Sequence, residues 1–198
     1  MYHNHPYDGW AESGQGQSSR WASNPPPSVL GALPYPSVTY ASNLVTYHIT
    51  NFSPNVLNSK VVGPNGQVQF IIKTDNEVPG YTVIKDPQQN SIALVEWKSS
   101  PIVEIRGLLA KQPVRNWLSL SPDRSARSME VRGSKYIWAP HNQSINLHAS
   151  DFARTFLANI SRTQTSIAIQ ITSDALQQRL LESIIIAALL LQCGRNID

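Results

Sequence analysis

The rhythm of apolar and polar positions changes twice along this chain. Residues 2–28 contain no Ile, Leu, Val, Met or Phe, and six of the 14 prolines precede residue 42. Such a segment cannot bury enough apolar surface to offset its conformational entropy, roughly 1–2 kcal/mol per residue. Residues 1–41 are therefore expected to form a disordered, partly polyproline-like tail. Its Pro25-Pro26-Pro27 run could serve a proline-reading module, but the composition favours a linker.

From residue 42 the period becomes two. Val45, Tyr47 and Ile49 alternate with Thr46 and His48, and Gln67–Lys73 follows the turn signal Pro64-Asn65-Gly66. Tyr81–Lys85 is a short β-branched run. Ser91–Lys98 and Ile102–Arg106 flank Ser99-Ser100-Pro101 as a hairpin, and Ser128–Val131 and Lys135–Trp138 flank Arg132-Gly133-Ser134 as another. Ser144–His148, Thr155–Ile160 and Ser166–Thr172 complete the strand-like segments. The prolines from residue 54 onward fall at the turn spacing of an all-β sandwich or barrel. Leu108–Ser125 fits no pattern.

The third rhythm is helical. Ser173-Asp174 resembles an N-cap with an acid in the first turn, nothing breaks a helix before Cys193, and Gly194 suits the position after its end. Ile184–Leu191 is apolar without interruption, which covers more than two turns and therefore the whole circumference. Such a helix must be surrounded. A bilayer needs about 20 mostly apolar residues, and Arg179 and Glu182 leave the clean run too short. A helix of about 20 residues spans roughly 30 Å, a length suited to threading a barrel. The expected fold is mainly β, a closed antiparallel barrel of about 10–12 strands over residues 42–198, wrapped around a hydrophobic C-terminal helix at about 173–193.

Composition adds bounds. The chain has 198 residues, 41% hydrophobic and 15% charged, against a usual charged fraction of about 25%, which disfavours coiled coils. One cysteine, Cys193, rules out an internal disulfide framework and a cysteine-based zinc cluster. The first ten residues carry no apolar signal-peptide core, so the expected location is intracellular, cytoplasmic or peripheral at a membrane.

The order of Ile92–Trp97, Ile102–Gly107, Gly133–Trp138 and the strand Ser166–Thr172 running into the Leu176–Leu191 helix resembles the tubby C-terminal superfamily. Within it, the chain is most similar to the uncharacterised tubby-like domain family of mushroom-forming fungi. Glu182 matches an acidic residue often found before that family's apolar helix run. The resemblance covers roughly residues 42–195 and implies the barrel with its central helix. It implies no established activity.

Reaction chemistry is sparse. There is no Gly-x-Ser-x-Gly, no P-loop and no Gly-x-Gly-x-x-Gly. His148 with Asp151 could act as a base and its orienting group, yet an ordinary strand-end pair is the simpler reading. His3, His5 and His141 lack the convergent partners of a metal site. Cys193 reads as a buried thiol, and Trp97 and Trp138 as wall or core residues with satisfied N–H groups. No cofactor or metal is expected.

One charge feature stands out. Between residues 98 and 135 lie eight basic side chains against three acidic ones. Arg106, Lys111, Arg115, Arg124, Arg127, Arg132 and Lys135 are the candidate ligand-binding residues, able to grip a phosphorylated headgroup if they converge. The expected function is a non-enzymatic binding module for an anionic phospholipid surface or a protein partner. The alternative is an enzyme with a pocket at the barrel mouth and His148 or His141 as base. Nucleic-acid binding is weaker, since no recognition helix is present. A surface of solvated, scattered charges remains the bland reading, and oligomeric state stays open.

Overall fold

The computed structural model describes residues 44–52, 55–74 and 80–198. The tail expected over 1–41 lies outside the described residues. Among those described, thirteen strands follow in order: β1 (Leu44–Thr50), β2 (Ser59–Val62), β3 (Val68–Thr74), β4 (Tyr81–Lys85), β5 (Ser91–Glu96), β6 (Ile102–Ile105), β7 (Leu109–Pro113), β8 (Leu118–Leu120), β9 (Arg127–Val131), β10 (Ser134–His141), β11 (Ser144–Ala149), β12 (Phe156–Arg162) and β13 (Ile167–Thr172). Three helices join them: α1 (Val114–Trp117) between β7 and β8, then α2 (Ser173–Gln177) and α3 (Leu181–Gln192) after β13.

All strands belong to one sheet, ordered β7-β6-β5-β4-β3-β2-β1-β13-β12-β11-β10-β9-β8. Every neighbouring pair is antiparallel. The first and last strands join the two halves, Leu44 opposite Thr172 through Ile49 opposite Ile167.

The expected closure of the sheet by hydrogen bonds is corrected here: the ladder has two ends, β7 and β8. The alternation of directions around the sheet makes these two strands run the same way. They are halves of one traverse, interrupted by the single turn of α1. Pro113 has no N–H to extend β7, the Val114 N–H donates to the Pro101 carbonyl beside β6 at 2.8 Å, and the Val114 carbonyl accepts from the Leu118 N–H to close the α1 turn. β7 therefore pairs with β6 and β8 with β9. The two halves occupy the stretch unassigned from sequence, and with β2, which the sequence pattern also left unmarked, they bring the strands to thirteen where ten to twelve are expected.

The ladder's ends nevertheless lie close together. Leu109 and Gln112 of β7 share one groove with Trp117 and Glu130 on the β8 side. A flat thirteen-stranded sheet would hold its edges more than 50 Å apart at about 4.8 Å per strand, so the sheet is strongly curled.

Inward positions alternate along the strands as predicted: Tyr47 and Ile49 are buried while His48 between them is exposed. Ile167, Ile169 and Ile171 are fully buried. Inside lies α3, whose residues Ser183–Leu190 are all buried, so it has no solvent face. The all-round apolar run is thus enclosed by protein, and no helix among the described residues is long and apolar enough to cross a membrane.

The helical region is not one continuous element from 173 to 193. Thr172, one residue before the expected cap, accepts from the Ala175 N–H at 3.2 Å. α2 then closes with Arg179 N–H on Leu176 and Leu180 N–H on Ala175. Arg179, at φ 57°, turns the chain inward. Gly194 follows α3 with φ 71°, the left-handed conformation expected after a helix end.

Because the sheet is an antiparallel meander, its turns alternate between two ends. The end where β1 begins, termed the entry end, carries the turns β6–β7, β9–β10 and β11–β12 and the break between β13 and α3. The far end carries β5–β6, β8–β9 and β12–β13. α3 starts at the entry end and finishes at the far end, where the Arg162 guanidinium donates to the Gln192 carbonyl at 2.8 Å.

Candidate functional site

The seven basic residues marked by the sequence have different environments. Lys111 pairs with Glu96, whose second oxygen takes Lys98 at 2.9 Å. These hydrogen bonds, from Lys111 first and Lys98 second, hold the Glu96 carboxyl below its usual range, against a desolvation penalty from its burial. Lys111 is therefore committed to the sheet. Arg127 is committed too: its two terminal nitrogens each lie 2.8 Å from an oxygen of Asp198, and one also donates to the Leu118 carbonyl at 2.8 Å. Arg124 lies in the β8–β9 turn at the far end and Arg115 on α1, both exposed.

Arg106, Arg132 and Lys135 share the entry end. Arg106 follows β6, Arg132 lies in the β9–β10 turn and Lys135 is the second residue of β10. All three are exposed, and their side chains form no hydrogen bond or ion pair with the described residues. The curl of the sheet brings the first two turns together: Leu108, two residues after Arg106, lines the same groove of about 310 Å³ as Arg132, with Leu109, Gln112, Asn116, Trp117 and Glu130 completing it.

Local backbone geometry explains the presentation. Arg132 and Gly133 have φ values of 51° and 78°, the two-residue loop that matches the twist of a hairpin. Glycine or asparagine is the ordinary occupant of such positions. Arg154 in the β11–β12 turn, at φ 48°, and Arg179, at φ 57°, are also left-handed, exposed and at the entry end. Four arginines thus occupy positions where a side chain carries a conformational cost, three of them at the entry end and Arg124, at φ 58°, at the far end. Arg154 and Arg179 were missed by counting charge along residues 98–135. In a meander, alternate turns share an end, and that parity is the signal that groups residues 132 and 154.

The histidine chemistry is not assembled. His148 points Nδ1 at the Arg154 carbonyl, 3.1 Å away, and packs edge-on to Phe156. Asp151 serves the Thr155 N–H and hydroxyl at 3.3 and 3.4 Å instead of orienting the imidazole. Surface cavities of about 200–350 Å³ lie at Val83–Arg106, at Asn51–Thr74 and along the α1 groove, and neither His141 nor His148 lines any of these. Burial raises the Cys193 thiol above its ordinary range, and its sulfur bonds the Leu190 carbonyl, the state of an unreactive thiol. Trp97 donates to Thr82 at 2.7 Å as expected. The buried N–H of Trp138, expected to be satisfied, has no hydrogen-bond partner among the described residues.

No curated protein matches the chain. A solved structure of a protein from Arabidopsis thaliana covers 73% of this chain and 91% of its own length, at 12% identity and a TM-score of 0.41. That likeness is too distant to carry an argument. Residues 54–196 match the family described as a family of unknown function, DUF6593, and the chain therefore belongs to it.

Proposed function

We propose that this chain is a non-enzymatic binding module of tubby-like architecture, its curled sheet acting as a barrel across the α1 break. In this reading its entry end holds an anionic phospholipid surface. The observation that carries the reading is the trio Arg106, Arg132 and Lys135: exposed, without carboxylate partners and at one end of the sheet. Guanidinium groups bind phosphate oxygens through paired, charge-assisted hydrogen bonds, and each basic residue near an anionic leaflet adds about 1 kcal/mol. Lys111 and Arg127 take structural roles instead, which narrows the seven sequence candidates.

An enzyme using His148 or His141 as base is less well supported, because neither imidazole lines the cavities described and Asp151 does not orient His148. The test is sedimentation with vesicles containing phosphoinositide at low and moderate salt. The wild-type chain should pellet in a salt-sensitive way, and R106E/R132E/K135E should stay in solution. Absence of pelleting at low salt, or pelleting indifferent to both salt and this triple change, overturns the reading.

A further inference from the structure

The β11–β12 turn presents a side chain that the charge argument does not use. Phe152 is fully exposed, with a relative accessibility of 108%. A lone half-exposed hydrophobe needs no explanation, but a phenylalanine with no packing partner among the described residues, at the tip of an ordered turn, is a different case.

The turn beneath it is pinned on every side. Ala149 N–H donates to the Thr155 carbonyl and Ser150 N–H to that of Lys135, both at 2.9 Å. Arg154 N–H donates to the Asp151 carbonyl at 3.3 Å. Asp151 also accepts from Thr155, and His148 meets the Arg154 carbonyl. Phe152 is therefore held out in solvent by a fixed turn, and little ordering entropy would be lost when it contacts an apolar phase.

Its surroundings say which phase. Ser150 ties the turn to Lys135, Arg154 lies two residues beyond the ring, and Arg132 and Arg179 occupy the same end. Asp151 beside Phe152 is engaged by Thr155 within the turn, and an exposed aromatic sharing one end of a sheet with several free cations suits a bilayer interface, where the ring enters the headgroup boundary while the cations meet lipid phosphates. Charge alone gives reversible, salt-sensitive attraction, and stable peripheral binding needs a second, apolar contribution.

We propose that the entry end faces the membrane with Phe152 as the side chain that inserts, Arg132, Lys135, Arg154 and Arg179 contacting the anionic headgroups around it. This rests on the lipid-binding reading above and assigns its orientation and its apolar contact. An anionic bilayer is the committed occupant, because a protein pocket for Phe152 would not call for four exposed cations at the same end of the sheet.

The experiment uses the full chain with vesicles of phosphatidylcholine, phosphatidylserine and phosphoinositide, some carrying brominated acyl chains. F152W should show fluorescence quenching by the brominated lipid beyond that of the wild type, and F152A should bind about ten-fold more weakly at moderate salt, with unchanged thermal unfolding. If wild type and F152A pellet equally and F152W gains no quenching, insertion is overturned while the charge-based reading stands. If the wild type does not pellet at all, both fall.

Discussion

Arg127 and Asp198 form a two-pronged ion pair, both contacts at 2.8 Å, that fastens the end of the chain to β9. The same guanidinium reaches the Leu118 carbonyl in β8, and three residues before Asp198, Arg195 stacks over the Trp97 ring at 4.7 Å. Trp97 follows β5 and Arg127 begins β9, so the closing residues hold the far end together from both sides of the β7–β8 break.

R127A should lower unfolding free energy by about 1–2 kcal/mol, since it removes the paired bonds and strands a carbonyl. Urea denaturation checks it. The pair also has a pH signature. The Arg127 hydrogen bonds hold the Asp198 carboxyl below its ordinary value, so the stabilisation is complete above the unfolded-state pKa and disappears as pH falls through the lower folded value. D198N should flatten that part of the stability–pH curve.

Asp123 offers a sharper titration. The Ser121 and Ser125 hydroxyls, the former at 2.5 Å, pull its pKa down to about 2. A carbon-detected NMR titration should find its midpoint near that value, and a midpoint in the ordinary carboxylate range would show that the β8–β9 turn is not built this way.

The enclosed helix makes a large stability prediction. Ile185 and Ala187, on opposite faces of α3, are both fully buried, so I185A should cost about 2–5 kcal/mol through lost contacts and an unfilled cavity. A187L should also destabilise, by about 1–3 kcal/mol, because the interior has no room for added volume. A helix resting on one face of a sheet would tolerate one of these changes, which separates the two arrangements by calorimetry.

Arg132 should show stability opposed to function. At φ 51°, R132G relieves left-handed strain and should stabilise the fold by roughly 1 kcal/mol, while weakening pelleting with anionic vesicles. Equal pelleting with higher stability would remove Arg132 from the proposed surface.

Much of this architecture was readable locally. The alternation through Val45–Ile49 and Ile167–Ile171 placed strands and their inner faces, because side chains on a strand can only alternate. The apolar circumference of Ile184–Leu190 required enclosure, because a helix with no polar face has nowhere to meet water. The hairpin at Arg132-Gly133 was visible in its turn residues. The break at Pro113–Trp117 was not, because whether a traverse stays whole depends on partners far away in sequence. The split between α2 and α3 was equally hidden: Arg179 is an ordinary helix former, and only docking against the sheet makes the chain turn there.

The candidate site divides along the same line. Residue types alone marked a basic stretch, since charge is carried by each side chain regardless of neighbours. Which of those charges stay available was settled in three dimensions, where Glu96 claims Lys111 and Asp198 claims Arg127 across the fold. Strand parity likewise placed Arg132, Arg154 and Arg179 at the end of the sheet that carries Phe152. Local chemistry names the groups, and long-range pairing chooses which of them face solvent together.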